Sequence, residues 1–214
     1  MRNILIVTAT PDENVSAYYT NSLTQSVKIS ESNNVNLAPV FFREGSDHMV
    51  INLGITFAYD EKLDGLVFIN REVSWNPENL MDLCGTEKEA AAIPVFDGHT
   101  FSLEIGEVAR LEEDEISGEI KVQSASTEFV YLSSTAIDKL YNSHPSINYG
   151  GRSVKAIMQG AESFNQYFTT ADLLAYRLTE AGFGLWVNPL HSAHKASRIL
   201  QTPSFNEVLS KLKE

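Results

Sequence analysis

The chain has 214 residues, of which 43% are apolar and 21% are charged, and its formal net charge is −12. This length fits one α/β domain with a substantial core. The acidic charge argues against extensive binding to duplex nucleic acid, because that affinity comes largely from lysine and arginine side chains that neutralise phosphates. A lone cysteine, Cys84, excludes an intrachain disulfide and indicates a reducing compartment.

The N-terminal half predicts strands alternating with helices. Residues 4–8 form a continuous apolar run, typical of a parallel strand covered on both faces, and too short to span a membrane. No later run is long enough to cross a bilayer, so we expect a cytoplasmic protein. Helical spacing follows in residues 16–30 and 47–62, and strand patterns occupy residues 36–45, 65–70 and 89–96.

A helix start follows the strand at residues 65–70. Asn76 is placed as the N-cap, Pro77 as the first helical residue, and Gly85 as the end of the helix. This succession of strands and helices predicts right-handed crossovers and a mostly parallel sheet.

The pattern changes after Gly98, where alternating residues predict a small antiparallel hairpin insertion at about 99–132. Short helices are predicted at 134–143 and 169–182, a strand at 183–189 and an amphipathic helix at 204–214. Thr169 and Asp172 are spaced as a capping box at the start of the second helix. No linker divides the chain, so residues 1–214 are predicted to form a single domain.

Several catalytic motifs are absent from the sequence. It contains no G-x-G-x-x-G, no P-loop, no paired C-x-x-C, no H-E-x-x-H and no G-x-S-x-G. Rossmann-type hydride transfer, P-loop nucleotide hydrolysis and simple zinc catalysis therefore lose support.

Six segments in a fixed order carry a family resemblance: MVINLGITFAYDEK, DGLVFINREVSWNPENLMDLC, EAAAIPVF, STEFVYLSSTAIDKL, TTADLLAYRLTEAGFGLWVNP and HSAHKA. This order resembles the small GT-A-fold glycosyltransferases of bacteriophages and bacteria over most of the chain. The resemblance implies an α/β, GT-A-like single domain with a mostly parallel central sheet flanked by helices. For a phage-encoded protein, the expected location is the host cytoplasm.

In that family, an Asp-x-Asp at a strand end holds Mg²⁺ or Mn²⁺ against the diphosphate of a nucleotide sugar. A carboxylate at a later helix start deprotonates the acceptor hydroxyl, and a C-terminal histidine completes the metal shell or binds phosphate. In this chain, Asn70 replaces the first aspartate, and Arg71 separates it from Glu72. One carboxylate and one amide form a poor site for a hard divalent cation.

Other positions of the family pattern also depart from it. The arginine of an Arg-Asn pair is Ile51 here, which leaves Asn52. A Gly-Thr-Gly motif becomes residues 126–128, so that Glu128 stands where glycine would allow close backbone approach. Asp172 remains from a Glu-Asp pair, and His194 is followed by lysine rather than glycine.

The resemblance thus implies a set of site residues. Asp172 is the catalytic candidate, with helix capping as its structural alternative. The metal candidates are Glu72 and His194. Arg71 either pairs with a diphosphate or with a local acid. The topology places Thr10 at the carboxyl end of the first strand, where a donor would bind. The donor or phosphate-binding candidates are Thr10, Asn52, Asn70, Arg71, Glu72 and Lys195.

Three functions follow from this pattern. The leading hypothesis is a glycosyltransferase-like protein with a degraded donor site, using no cofactor or weakly bound Mg²⁺ or Mn²⁺. It would act as a reduced-activity or non-catalytic subunit, beside an active glycosyltransferase partner or as a homo-oligomer.

The second hypothesis is an active, metal-independent transferase. In this hypothesis Arg71 and Lys195 neutralise the diphosphate, and Asp172 is the base. The acceptor is a hydroxyl, including that of a hydroxymethylated DNA base. The third is a protein-interaction module. Whether the chain is an enzyme stays open at this point.

Overall fold

The computed structural model describes residues 1–104, 112–159 and 169–195, and a seven-stranded sheet lies at its centre. The first half of the chain alternates strands and helices as expected. Its elements are β1 (Arg2–Ala9), α1 (Ala17–Ser30), β2 (Val35–Phe42), α2 (Asp47–Asp60), β3 (Gly65–Ile69), β4 (Val73–Trp75), α3 (Pro77–Gly85), β5 (Ala90–Ala92) and β6 (Val95–Phe96).

The second half contains shorter elements. These are β7 (Leu103–Glu104), β8 (Ile120–Val122), β9 (Ser124–Ala125), β10 (Phe129–Ser133), α4 (Ser134–Ser143), β11 (Ser146–Tyr149), β12 (Arg152–Lys155), α5 (Thr170–Glu180), β13 (Leu185–Val187) and β14 (Ala193–Lys195). The helix predicted at 204–214 lies outside the described residues. Within the described part of the chain, no helix has both the length and the apolarity needed to span a membrane.

The central sheet has the strand order β2-β1-β3-β10-β5-β13-β8. β1 is parallel to β2 and β3, and β13 is parallel to β5, whereas β10 and β8 run antiparallel to their neighbours. Five of these seven strands therefore point the same way. The predicted fold class, α/β with a large, mostly parallel central sheet flanked by helices, is confirmed.

The region predicted as an antiparallel insertion takes part in this sheet. β10 lies at its middle, between β3 and β5, and β8 forms one edge. β7 and β9 pair separately, and residues 105–111 lie outside the described residues. The alternating pattern correctly indicated antiparallel strands, but local alternation contains no information about which distant strands they join.

The core consists of two layers, one on each face of the sheet. Along β1, Leu5 and Val7 face the layer that contains α2, α4 and α5, whereas Ile4 and Ile6 face the layer that contains α1 and α3. Successive side chains of a strand point to opposite faces, so a continuous apolar run is buried on both.

Side-chain caps begin the helices. The Asn76 side chain accepts a hydrogen bond from the Glu78 amide, and Pro77 opens α3, as the sequence predicts. At α5, Thr169 and Asp172 form the predicted capping box.

A second, three-stranded sheet places β14 between β4 and β6. Residues 89–96 are therefore two strands rather than one: β5 joins the central sheet, and β6 joins this second sheet. The carbonyl of Pro94, between them, accepts a hydrogen bond from the Ala193 amide at 2.9 Å. This arrangement brings the histidine and lysine of β14 beside the chain that leaves β3.

Candidate functional site

A cleft of about 190 Å³ opens at the carboxyl ends of β1 and β3. Its walls come from the connection after β1, the β2–α2 connection, the end of β3 and the residues before β10. In open α/β sheets, ligands bind outside the carboxyl ends of the parallel strands, so this cleft occupies the expected place. The polar side chains that line it are Glu44, Asp47, Asn70, Arg71, Thr127 and Glu128.

Asn70 forms a turn at the end of β3. Its side-chain oxygen accepts a hydrogen bond from the Glu72 amide at 2.9 Å, and its own amide donates to the Glu128 carbonyl at 2.8 Å. An asparagine oxygen that bonds the amide two residues onward is a common way to reverse the chain. Asn70 thus lies in the cleft wall, with its side-chain oxygen engaged in the turn.

Arg71 is paired with an acid of the first loop. Its guanidinium forms an ion pair with Asp12, and its carbonyl accepts a hydrogen bond from the Ser16 amide at 3.1 Å. Desolvation acts to raise the pKa of Asp12, but the Asn14 amide and the Arg71 guanidinium hold this pKa below its ordinary value. The charge of Arg71 is therefore already balanced by the protein itself.

A second ion pair joins Glu128 and Lys195. The Lys195 Nζ lies 2.6 Å from a carboxylate oxygen of Glu128, and the two side chains are 31% and 16% exposed. The pKa of Asp97 is lowered by hydrogen bonds from the amides of Thr100 and His99, and Lys195 contributes to this lowering. Lys195 is thus near two carboxylates, one of which lines the cleft.

Thr10 and Asn52 lie beside the cleft but outside its lining. Thr10 is buried, and its hydroxyl and its amide both donate to the Phe42 carbonyl, at 3.4 and 2.8 Å. Asn52 is fully buried in α2, where its oxygen accepts a hydrogen bond from the Met158 amide at 2.9 Å. Both side chains therefore connect parts of the protein to one another.

The two metal candidates do not form a recognisable coordination site. Glu72 is exposed and lies outside the cleft lining, and His194 is in β14 opposite Ser74. Burial lowers the pKa of His194. Among residues 1–104, 112–159 and 169–195, no three or more histidine, cysteine, aspartate or glutamate side chains are grouped so that they could hold a metal ion.

Asp172 is engaged at the start of α5. Its carboxylate accepts hydrogen bonds from the hydroxyl of Thr169 at 2.6 Å and from the amide of the same residue at 3.3 Å. Asp172 does not line the cleft. Asp172 therefore caps the N-terminus of α5, which is the structural alternative to a catalytic role.

Sequence reasoning missed three residues of this region: Glu44, Asp47 and Tyr149. The Tyr149 hydroxyl donates to the Glu44 carboxylate, which also accepts from the amides of Gly45 at 2.9 Å and Ser46 at 3.2 Å. Glu44 follows β2 as Asn70 follows β3, so the position after a strand was the available signal. No local signal indicated Tyr149, which is 105 residues away from Glu44.

No family model matches the chain, and no curated protein matches it. Among solved structures, A197 from STIV aligns with 95% of this chain and 95% of its own, at a TM-score of 0.54 and 10% identity. That likeness shows a shared fold.

Two further structures are a glycosyltransferase involved in the glycosylation of the major capsid of PBCV-1, and the inositol-1-phosphate CTP transferase from T. maritima. The first has 11% identity, 98% coverage of both chains and a TM-score of 0.44. The second has 12% identity, coverage of 100% of this chain and 97% of its own, and a TM-score of 0.43. These two scores are too low to add to the likeness with A197.

Proposed function

We propose that this chain is a glycosyltransferase-like protein that holds a nucleotide sugar weakly and without a divalent metal, as a reduced-activity or non-catalytic subunit. Two features support the assignment to this class: the order of sequence segments that resembles GT-A-fold glycosyltransferases, and a cleft at the carboxyl ends of β1 and β3. An active glycosyltransferase or a second copy of the chain is the proposed partner.

The observation that carries the loss of donor chemistry is the internal pairing of the cationic groups. Arg71 is paired with Asp12, and Lys195 is paired with Glu128. In a transferase, Arg71 and Lys195 would neutralise the negative charge of the diphosphate. Because both cations are already paired, a diphosphate must first displace the carboxylates of Asp12 and Glu128. That competition weakens binding and lowers the stabilisation of a leaving diphosphate.

The size of the cleft supports the same conclusion. Its volume of about 190 Å³ lies below the range of roughly 300–1,000 Å³ that is typical of small-molecule sites. The Glu128 side chain lines the cleft at the position where the family resemblance implies glycine. A nucleotide sugar therefore needs the cleft to widen.

The active, metal-independent alternative rests on one observation, which is that Arg71 lines the cleft. It requires Arg71 to exchange Asp12 for a phosphate and Asp172 to leave its cap. A duplex containing hydroxymethylated bases is one acceptor class for this alternative. The proposal and this alternative differ in whether the protein transfers sugar from a nucleotide sugar to an acceptor.

Calorimetric titration with UDP-, GDP- and dTDP-sugars, with and without Mn²⁺, tests the proposal. We expect weak binding that Mn²⁺ does not strengthen, and no release of nucleoside diphosphate in the presence of saccharide or hydroxymethylated DNA acceptors. Glu72→Gln tests the metal candidate in the same titration: its affinity should be unchanged with and without Mn²⁺, because the exposed Glu72 lies outside the cleft lining. Strong Mn²⁺-dependent binding accompanied by turnover would refute the proposal.

A further inference from the structure

The cleft has two chemically different ends. Arg71 lies after β3, whereas Glu44 and Asp47 lie after β2, on the other side of β1. Since neighbouring strands are about 4.8 Å apart, the two ends are separated by roughly 10 Å. Among the described residues that line the cleft, the end after β3 carries Arg71 and the Glu128 carboxylate, which is paired with Lys195, whereas the other end carries two carboxylates and no cation.

The carboxylate end offers hydrogen-bond acceptors. A carboxylate has about four acceptor positions, and three bonds to Glu44 are present: from the Tyr149 hydroxyl and from the amides of Gly45 and Ser46. One position remains. The Tyr149 hydroxyl donates a hydrogen bond to Glu44, so the lone pairs of the Tyr149 oxygen are also available to accept. An acceptor of the cleft lining, Glu44, thus has a second acceptor directly beside it, on Tyr149 just outside the lining.

The β11–β12 hairpin fixes Tyr149 in this place. The two strands are joined by Gly150 and Gly151, which have φ angles of 56° and 79°. Two-residue turns of this kind need positive φ at both positions, which glycine adopts without strain. At the base of the hairpin, the Lys155 amide donates to the Thr56 hydroxyl of α2 at 3.0 Å. The same helix begins at the cleft, so the hairpin is attached to the cleft wall.

We propose that Glu44 and Tyr149 form a subsite for a vicinal diol on the uncharged part of the ligand. One hydroxyl donates to the free acceptor position of Glu44, and its neighbour donates to the Tyr149 oxygen. Neutral hydroxyl groups suit this end, because Glu44 and Asp47 repel phosphate there. The subsite orients a nucleotide sugar with its phosphates toward Arg71, and in this respect it rests on the proposed function. The diol belongs either to the ribose of the nucleotide or to a pyranose sugar.

Heteronuclear NMR titrations of the full chain distinguish these two sources. The probes are ribonucleosides, their 2′-deoxy analogues and methyl glycosides of common hexoses. Binding of ribonucleosides but not of their 2′-deoxy analogues assigns the diol to ribose, and binding of the methyl glycosides assigns it to the sugar. Either result supports the subsite when Tyr149→Phe weakens that binding about 3- to 10-fold, the value of one hydrogen bond.

Tyr149→Phe keeps the ring and removes only the hydroxyl. Tyr18→Phe is the matched control, because Tyr18 is an exposed tyrosine of α1 and is not among the described hydrogen-bond partners of Glu44. Absence of binding by both ligand classes, or binding that is equal in Tyr149→Phe and the wild-type chain, overturns the inference.

Inorganic pyrophosphate separates this inference from the proposed function, because it has no hydroxyl groups to place at Glu44. Pyrophosphate binding that depends on Arg71, without diol binding, refutes the subsite alone. Diol binding that depends on Tyr149, without any pyrophosphate binding, supports the subsite and refutes the proposed donor cleft.

Discussion

The segment that leaves β3 has two halves with very different surroundings. Residues 70–72 form the turn and ion pair at the rim of the cleft, whereas Val73–Trp75 enters the core as β4. The Trp75 ring lies against Tyr19 at 5.3 Å and Phe129 at 5.4 Å between ring centroids. Its ring nitrogen donates to the Ser26 hydroxyl at 3.0 Å.

The two halves therefore differ in what holds them in place. The second half is required for folding, because its side chains fill the layer beneath α1 and α3. The first half forms a turn and an ion pair at the cleft, where Asn70 accepts a hydrogen bond from the Glu72 amide and the Arg71 carbonyl accepts one from the Ser16 amide. A family-like order of core segments therefore indicates a fold, and activity has to be read from the cleft.

Substitution in the two halves should give the largest contrast. We expect Trp75→Ala to lower the free energy of unfolding by about 3–5 kcal/mol, because it removes a buried ring and leaves a cavity. Arg71→Ala should lower it by at most about 1 kcal/mol, because its partner Asp12 is largely exposed to solvent. Urea denaturation monitored by circular dichroism measures both. Equal losses in the two variants would show that residues 70–72 contribute as much to folding as β4 does.

The cap at Asp172 gives a smaller effect. We expect Asp172→Asn to lower the free energy of unfolding by about 0.3–1 kcal/mol, because it removes a negative charge from the first turn of α5. Nucleotide-sugar affinity should stay the same, since Asp172 does not line the cleft. If instead the variant abolished a measurable transferase activity at unchanged stability, Asp172 would be a base rather than a cap.

The smallest effect concerns the pH response of the cleft rim. The hydrogen bond from Tyr149 is the main cause that lowers the pKa of Glu44. A carboxyl whose pKa is lowered by folding stabilises the protein above its ordinary pKa of about 4.3, and this contribution is lost as the pH falls through the lowered value.

Tyr149→Phe should therefore move the pKa of Glu44 upward, toward its ordinary value. Carbon-detected NMR of the Glu44 carboxyl, titrated between neutral and acidic pH, measures this change. Tyr18→Phe again serves as the control. An unchanged pKa of Glu44 in Tyr149→Phe would show that the hydrogen bond from Tyr149 does not lower this pKa.

The parts of the fold that sequence reasoning predicted are those with local causes. The Asn76 cap, the capping box at Thr169 and the buried strand β3 each follow from residues that are close together in the chain. The sequence left open whether the end of β3 faces a cleft, and the structure places Asn70 and Arg71 in a cleft wall.

The parts that it could not predict depend on distant residues. Arg71 pairs with an acid 59 residues away, and β10 enters the centre of the sheet from a region whose pattern indicated only antiparallel pairing. Asn52, which the resemblance implies as a donor-site residue, accepts a hydrogen bond from the Met158 amide, 106 residues away. Such contacts are set by the path of the whole chain, which local periodicity does not encode.

We propose that Asp12 and Glu128, carboxylates of the protein itself, neutralise Arg71 and Lys195. The affinity for inorganic pyrophosphate tests this pairing, when it is measured by calorimetry without metal in the wild-type chain, Asp12→Asn, Glu128→Gln and the double variant. We predict that each single change strengthens binding by about 2- to 5-fold, which corresponds to the release of one partly exposed ion pair, and that the double variant binds most tightly. Adding Arg71→Ala to Asp12→Asn should remove the gain. Equal or weaker binding by Asp12→Asn and Glu128→Gln would contradict the account.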